Sequence, residues 1–117
     1  MEEWQAATVE EVQNIVNRDL AGCDAEQTAT FKKYAVGPYL ASIVRYGRKE
    51  SVVVVARKGR EVIYWEDVEE GFNVSPIDAE GQILEHWCNQ DELAFALNAW
   101  IEGRAHGGRF GPATPLG

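Results

Sequence analysis

The chain has 117 residues, of which 45 % are hydrophobic and 10 % aromatic, and this apolar content excludes a disordered chain. Its formal net charge is −8 at pH 7, a field that opposes the binding of a polyanion such as nucleic acid. No strictly apolar run exceeds the length of residues 52–56, which is far shorter than the roughly 20 residues of a membrane-spanning helix. No export segment follows the acidic N-terminus, so we expect a cytoplasmic protein that does not enter a membrane.

The first predicted element is an amphipathic helix that begins at a capping box formed by Thr8 and Glu11. Gly22 predicts the end of this helix, and residues 23–30 are predicted to form a polar connector. The apolar residues of the helix recur at the three- and four-residue spacing of one face: Val9, Val12, Ile15, Val16 and Leu20.

Residues 31–88 predict an antiparallel β-meander, because short β-branched and aromatic runs alternate there with turn residues. Gly37 and Pro38 predict the end of the first strand, and Gly59 and Gly81 predict the turns of two hairpins. The continuously apolar residues 52–56 predict a strand that is buried on both faces, in the middle of the sheet. Five or six strands are predicted: 30–36, 39–46, 51–57, 62–66, 72–77 and 82–87.

A second helix is predicted after a capping box that pairs Asn89 with Glu92, and Gly103 predicts its end. The many Gly and Pro residues that follow predict an extended or flexible tail over residues 104–117. We therefore expect a single α+β domain over residues 1–103, in which an N-terminal helix, the β-meander and a C-terminal helix form a sandwich. The apolar stripe of the second helix consists of Leu93, Ala96, Leu97, Trp100 and Ile101.

Few residues in the sequence suit catalysis or metal binding. His86 and Cys88 share one face of a predicted strand, but the sequence indicates neither a group that orients the imidazole nor a set of oxyanion donors. Cys23 lies too far from Cys88 for a metal knuckle or a redox pair. We expect no catalytic residue, no metal and no cofactor, and we leave open whether the protein is an enzyme.

Charge is segregated along the chain. Residues 1–30 carry a net charge of −6, residues 31–60 of +7, residues 61–102 of −11 and residues 103–117 of +2. The basic block also holds tyrosines, a mixture that binds nucleic acid in some sheets. The net charge opposes that hypothesis, and we expect instead that basic strand ends face the acids of the next strand.

The acidic block predicts a negative surface around two turns. Negative potential speeds the encounter with a basic partner, and aromatic side chains supply most of the binding energy of many interfaces. The hypothesis is a non-catalytic module that captures a basic protein. Its predicted partner-binding residues are the acids Glu66, Asp67, Glu69, Glu70, Asp78 and Glu80 and the anchors Trp65, Phe72 and Trp87.

The order helix, β-meander, helix over residues 8–103 of a small acidic chain resembles that of some immunity proteins of bacterial toxin systems. This resemblance implies a protein that binds a toxin, often a basic nuclease, and blocks it without chemistry of its own. A second hypothesis is a ligand-binding or enzymatic domain with a pocket between the sheet and the helices, lined by Trp and Tyr and including His86. A third is a homodimeric scaffold that buries a sheet face or an edge strand.

Overall fold

The computed structural model describes residues 8–45, 47–66, 70–84 and 92–103, and for Arg45 the backbone only. Within these ranges three helices and one antiparallel sheet of four strands form, which confirms the α+β class and corrects the predicted number of strands. None of these three helices is long and apolar enough to cross a membrane.

The first helix, α1, spans Val9–Leu20 and begins at the predicted capping box. The Glu11 amide donates to Thr8 Oγ1 over 3.0 Å, and the Thr8 amide donates to the Glu11 carboxylate over 2.8 Å. These two bonds satisfy amides that the first turn of a helix leaves without partners. Val12 and Val16 are buried, as the apolar spacing predicts.

The second helix, α2, spans Ala25–Tyr34, where the sequence predicts a connector and a strand; both predictions are wrong. The helix begins at a capping box between Asp24 and Gln27, and only Phe31 among its residues is buried. Because α2 shows so little apolar periodicity, its helical character rests on its cap and on good helix formers such as Ala, Glu, Gln and Lys.

The third helix, α3, spans Leu93–Ile101 and ends before Gly103, whose φ of 71° is readily adopted by glycine. Its N-cap is Glu92 rather than the predicted Asn89, and the Glu92 side chain makes no capping hydrogen bond. The cap comes instead from α1, because the Leu93 amide donates to Asp19 Oδ2 over 3.1 Å. Residues 85–91, which include His86, Cys88 and Asn89, lie outside the described residues.

The four strands lie side by side in chain order: β1, Ala35–Arg45; β2, Arg48–Lys58; β3, Glu61–Glu66; and β4, Gly71–Pro76. Residues 52–56 of β2 are all buried between β1 and β3, as predicted. Gly59 turns the chain from β2 to β3 with a φ of 62°, which confirms the predicted hairpin.

Gly37 and Pro38 lie inside β1 and do not end a strand, so this part of the prediction is wrong. The register of β1 against β2 shifts between Ala35 and Tyr39, at the proline. Pro38 cannot donate a hydrogen bond, and β1 is an edge strand in which such a residue is tolerated.

The sheet separates two apolar clusters. One lies under the three helices and includes Trp65, Phe72 and Trp100, and the other lies on the opposite face around Tyr64. The register of β2 against β3 shifts at Val55, which forms a bulge. Because the bulge interrupts the alternation of faces, the successive residues Val55 and Ala56 both contribute to the cluster under the helices. The second cluster consists of Ala41, Ile43, Val52, Val54, Val62, Tyr64, Ile77 and Ile83.

Residues 77–84 connect the two edges of the sheet. The predicted turn at residues 78–81 forms, since the Gly81 amide donates to the Asp78 carbonyl over 2.9 Å. Ile83 then bridges Ile43 of β1 and Ile77 after β4, so the predicted strand 82–87 is seen in the described residues only as these single bridges. The sheet is therefore curled, and none of the described residues pairs with the outer edge of the half of β1 that precedes Ser42, which we call its open edge.

Candidate protein-binding surface along strand β1

Three of the predicted partner-binding residues are part of the core. Phe72 and Glu66 are fully buried, and Trp65 is 8 % exposed. The rings of Trp65 and Phe72 pack edge to face, with centroids 4.9 Å apart, under the helices. A side chain in this position would have to leave the core to reach a partner, so we assign Trp65 and Phe72 to the stability of the fold.

The remaining predicted acids that the structure describes, Glu70, Asp78 and Glu80, do not form one surface. Glu70 precedes β4, whereas Asp78 and Glu80 follow it, so the six residues of the strand separate them by about 20 Å. The Asp78 carboxylate also accepts the amides of Glu80 and Gln82, each over 2.9 Å, and thereby stabilises the turn. Asp67, Glu69 and Trp87 lie outside the described residues.

Glu70 has a φ of 61°, a left-handed conformation that is unfavourable for a side chain with a Cβ atom. We expect that Glu70→Gly raises the free energy of unfolding by about 0.5–1 kcal/mol, because glycine adopts this conformation without the steric cost. Glu70→Ala is the matched control, since it removes the charge but keeps the Cβ. Equal stability of the two variants in urea unfolding would contradict this prediction.

Large apolar side chains are exposed along one side of β1. Leu40 is 59 % exposed and Val44 is 54 % exposed, and because they lie four residues apart in a strand they project from the same face. Ile83 pairs in parallel with Ile43 in the buried cluster, so its neighbour Leu84, 52 % exposed, shares the face of Val44. We name these three side chains and the cleft beside them the β1 surface.

The cleft has a volume of about 620 Å³ and lies between the open edge of β1 and the turn at residues 78–82. The Ser42 carbonyl points to this edge, where it accepts the Ile83 amide over 2.8 Å. Since residues two apart in a strand direct their backbone groups to the same side, the amide and carbonyl of Leu40 face the cleft. Both apolar and charged side chains line it, among them Val36, Tyr39, Leu40, Lys49, Arg57 and Glu80.

Five cations gather where α2 ends and β2 turns into β3; we name them the basic end. The Tyr34 ring connects the two elements, with the ammonium of Lys33 at 5.3 Å and that of Lys58 at 5.8 Å from its centroid. Both lysines make cation–π contacts with this ring. The five residues are Lys32, Lys33, Arg57, Lys58 and Arg60.

The neighbouring strand places one acid opposite the basic end, as the sequence predicts. Lys58 stands opposite Glu61 in the register, but the Glu61 carboxylate accepts Trp100 Nε1 over 2.9 Å. Across the part of the chain that the structure describes, the only ion pair within 4 Å joins Arg18 to Asp19. Within the described residues the basic end therefore makes no ion pair, and its side chains are exposed except for the half-buried Lys58.

The described residues offer little for catalysis. Burial, and then the carboxylates of Asp19, Asp24 and Glu92, raise the pKa of the Cys23 thiol, which keeps it protonated and unreactive at neutral pH. In the four described ranges no group of three His, Cys, Asp or Glu side chains could hold a metal ion.

The sequence contains a signal for the β1 surface that periodicity alone does not reveal. In β1, Tyr39, Ala41 and Ile43 alternate with Leu40 and Val44, so the strand is apolar on both faces. Such a pattern predicts burial on both sides in a central strand. In an edge strand the same pattern leaves one row of apolar side chains exposed. Because only the tertiary structure sets the order of the strands, the sequence does not show which of the two cases applies to β1.

Comparison with known proteins found no match among protein-family models, curated proteins or solved structures.

Proposed function

We propose that this domain is a non-catalytic protein-binding module that contacts its partner through the β1 surface. The observation that supports the proposal is the grouping of Leu40, Val44 and Leu84, because three of the four exposed large apolar residues in the described chain share one sheet edge. Exposed apolar side chains grouped near a cleft are typical of interaction sites.

The backbone of β1 favours an extended partner segment. The amide and carbonyl of Leu40 face the cleft and could pair with a strand placed there, as in strand addition to a sheet edge. The bulge and Pro38 limit such pairing to a few residues, so side-chain contacts with Leu40 and Val44 would supply much of the affinity.

A ligand pocket between the sheet and the helices, and a basic partner bound through acids, have less support. The space between the sheet and the helices is filled by core side chains, which disfavours a ligand pocket there. An inhibitor of the immunity type, which the layout resembles, would be one form of the proposed module. Among the described residues, the acids Glu70, Asp78 and Glu80 would have to bind a basic partner without Trp65 and Phe72, which are buried.

Site-specific photo-crosslinking in the cell that makes the protein tests this function. A benzophenone amino acid is introduced at Leu40, at Val44 and, as an exposed control on α2, at Glu26. We expect one discrete adduct with another protein from the first two positions and none from the control. An adduct within the same chain or between two copies would show that the chain itself covers the β1 surface, and equal adducts from all three positions would contradict a specific site.

A further inference from the structure

We infer that the partner segment is acidic and lies in the cleft with its negative side chains against the basic end. This inference rests on the proposed function and specifies the chemistry of the partner, which is opposite to the basic partner predicted from the sequence. Three features of the described residues carry it: the excess of cations over carboxylates at the basic end, the continuity of the basic end with the cleft, and the exposed apolar residues of β1.

The basic end and the β1 surface are continuous. Arg57 belongs to the basic end and also lines the cleft. β1 begins directly after Tyr34, whose ring contacts Lys33 and Lys58, and Val36 lines the same cleft. A partner segment that lies along the edge of β1 and extends to Ala35 would therefore lie close to these cations.

The net charge of −8 does not prevent this interaction at physiological salt. The Debye length there is about 8 Å, so charges farther away are largely screened and the nearest side chains dominate. Asp24 and Glu26, at the start of α2, lie at the other end of that helix from the basic end. Glu61 lies opposite Lys58 and offsets only part of the charge of the five cations. Glu80 lines the cleft near its turn, which favours acids at the other end of the partner segment.

The apolar residues favour a protein segment over nucleic acid. Leu40, Val44 and Leu84 offer aliphatic surface, which packs against apolar side chains, whereas bases stack on aromatic rings. The Tyr34 ring already contacts two ammonium groups and packs edge to face on Trp100, with centroids 5.6 Å apart.

Titration of the full-length ¹⁵N-labelled protein with defined peptides, followed by NMR, tests the inference. The probe is an eight-residue peptide that alternates glutamate with leucine, and the control peptide carries lysine in place of glutamate. We expect the acidic peptide to bind at least about tenfold more tightly, to shift the amides of residues 35–44 and 57–60, and to weaken as salt is raised.

Charge-reversal variants identify which cations contribute to binding of the acidic peptide. Lys58→Glu is expected to weaken binding of the acidic peptide about fivefold, whereas Arg48→Glu changes the net charge equally at the other end of β2 and should alter the affinity less than about twofold. Arg60→Glu, on the exposed turn, provides the same test if Lys58→Glu does not fold.

The outcomes separate this inference from the proposed function. Equal binding of the acidic and basic peptides at the β1 surface would overturn the acidic partner and leave the binding module intact. Tighter binding of an eight-nucleotide oligothymidylate, or of a glutamate–glycine peptide, would overturn it by assigning the cations to a general anion site. Absence of peptide binding would also overturn it, while crosslinking from Leu40 would still report on the module itself.

Discussion

Replacing Phe72 with alanine is expected to lower the free energy of unfolding by about 3–5 kcal/mol. The ring is fully buried in the cluster under the helices and packs against Trp65. Its removal loses the transfer free energy of the side chain and leaves a cavity that the curled sheet and the helices fill only in part. Urea unfolding followed by far-ultraviolet circular dichroism measures the change.

This experiment also separates the two roles that Phe72 could have. Leu40→Ala is the control, because Leu40 is 59 % exposed and its truncation should change the free energy of unfolding by less than about 0.5 kcal/mol. If Phe72 were an exposed anchor for a partner, Phe72→Ala would unfold at the same urea concentration as the parent protein. That result would contradict the burial of the ring.

Replacing Asp19 with alanine is expected to lower the free energy of unfolding by about 1–2 kcal/mol. The carboxylate accepts the first amide of α3 over 3.1 Å, and the N-cap residue of that helix offers no side-chain bond of its own. The loss therefore leaves a helix amide without its partner and removes a link between α1 and α3. The ion pair with Arg18 adds little, because the Arg18 side chain is 72 % exposed.

Two further variants identify the cause of this effect. Asp19→Asn keeps an oxygen acceptor, so it should restore about half or more of the lost stability if the hydrogen bond is responsible. Glu92→Ala changes the formal N-cap residue of α3 and should cost no more than a few tenths of a kcal/mol. A larger loss from Glu92→Ala than from Asp19→Ala would contradict the assignment of the cap.

The candidate site was largely beyond the reach of sequence reasoning. The predicted acids and aromatics are close in the sequence, but β4 separates Glu70 from Glu80, and Phe72 is buried under the helices in a strand that is covered on both faces. The residues that form the β1 surface come from two distant segments, because the bridge between Ile83 and Ile43 brings Leu84 to the end of β1. Neither charge nor local pattern reports such a contact.

The sequence alone determined the elements with strong local signals. The capping box at Thr8, the apolar run of β2 and the glycine turn between β2 and β3 each specify a local structure through contacts within a few residues. These features suffice for the α+β class. The polar helix α2 escaped prediction because only its cap and its helix propensities mark it, and only one of its residues is buried.

Tertiary structure alone decided which residues are available for function. It placed β1 at an edge, curled the sheet through Ile83, capped α3 with Asp19 and gathered the cations around Tyr34. Each of these depends on groups far apart in the chain, and their positions follow from how the whole sheet and the helices bury their apolar faces. Local pattern therefore predicted the secondary structure in part, while exposure, and with it the proposed binding surface, depended on packing.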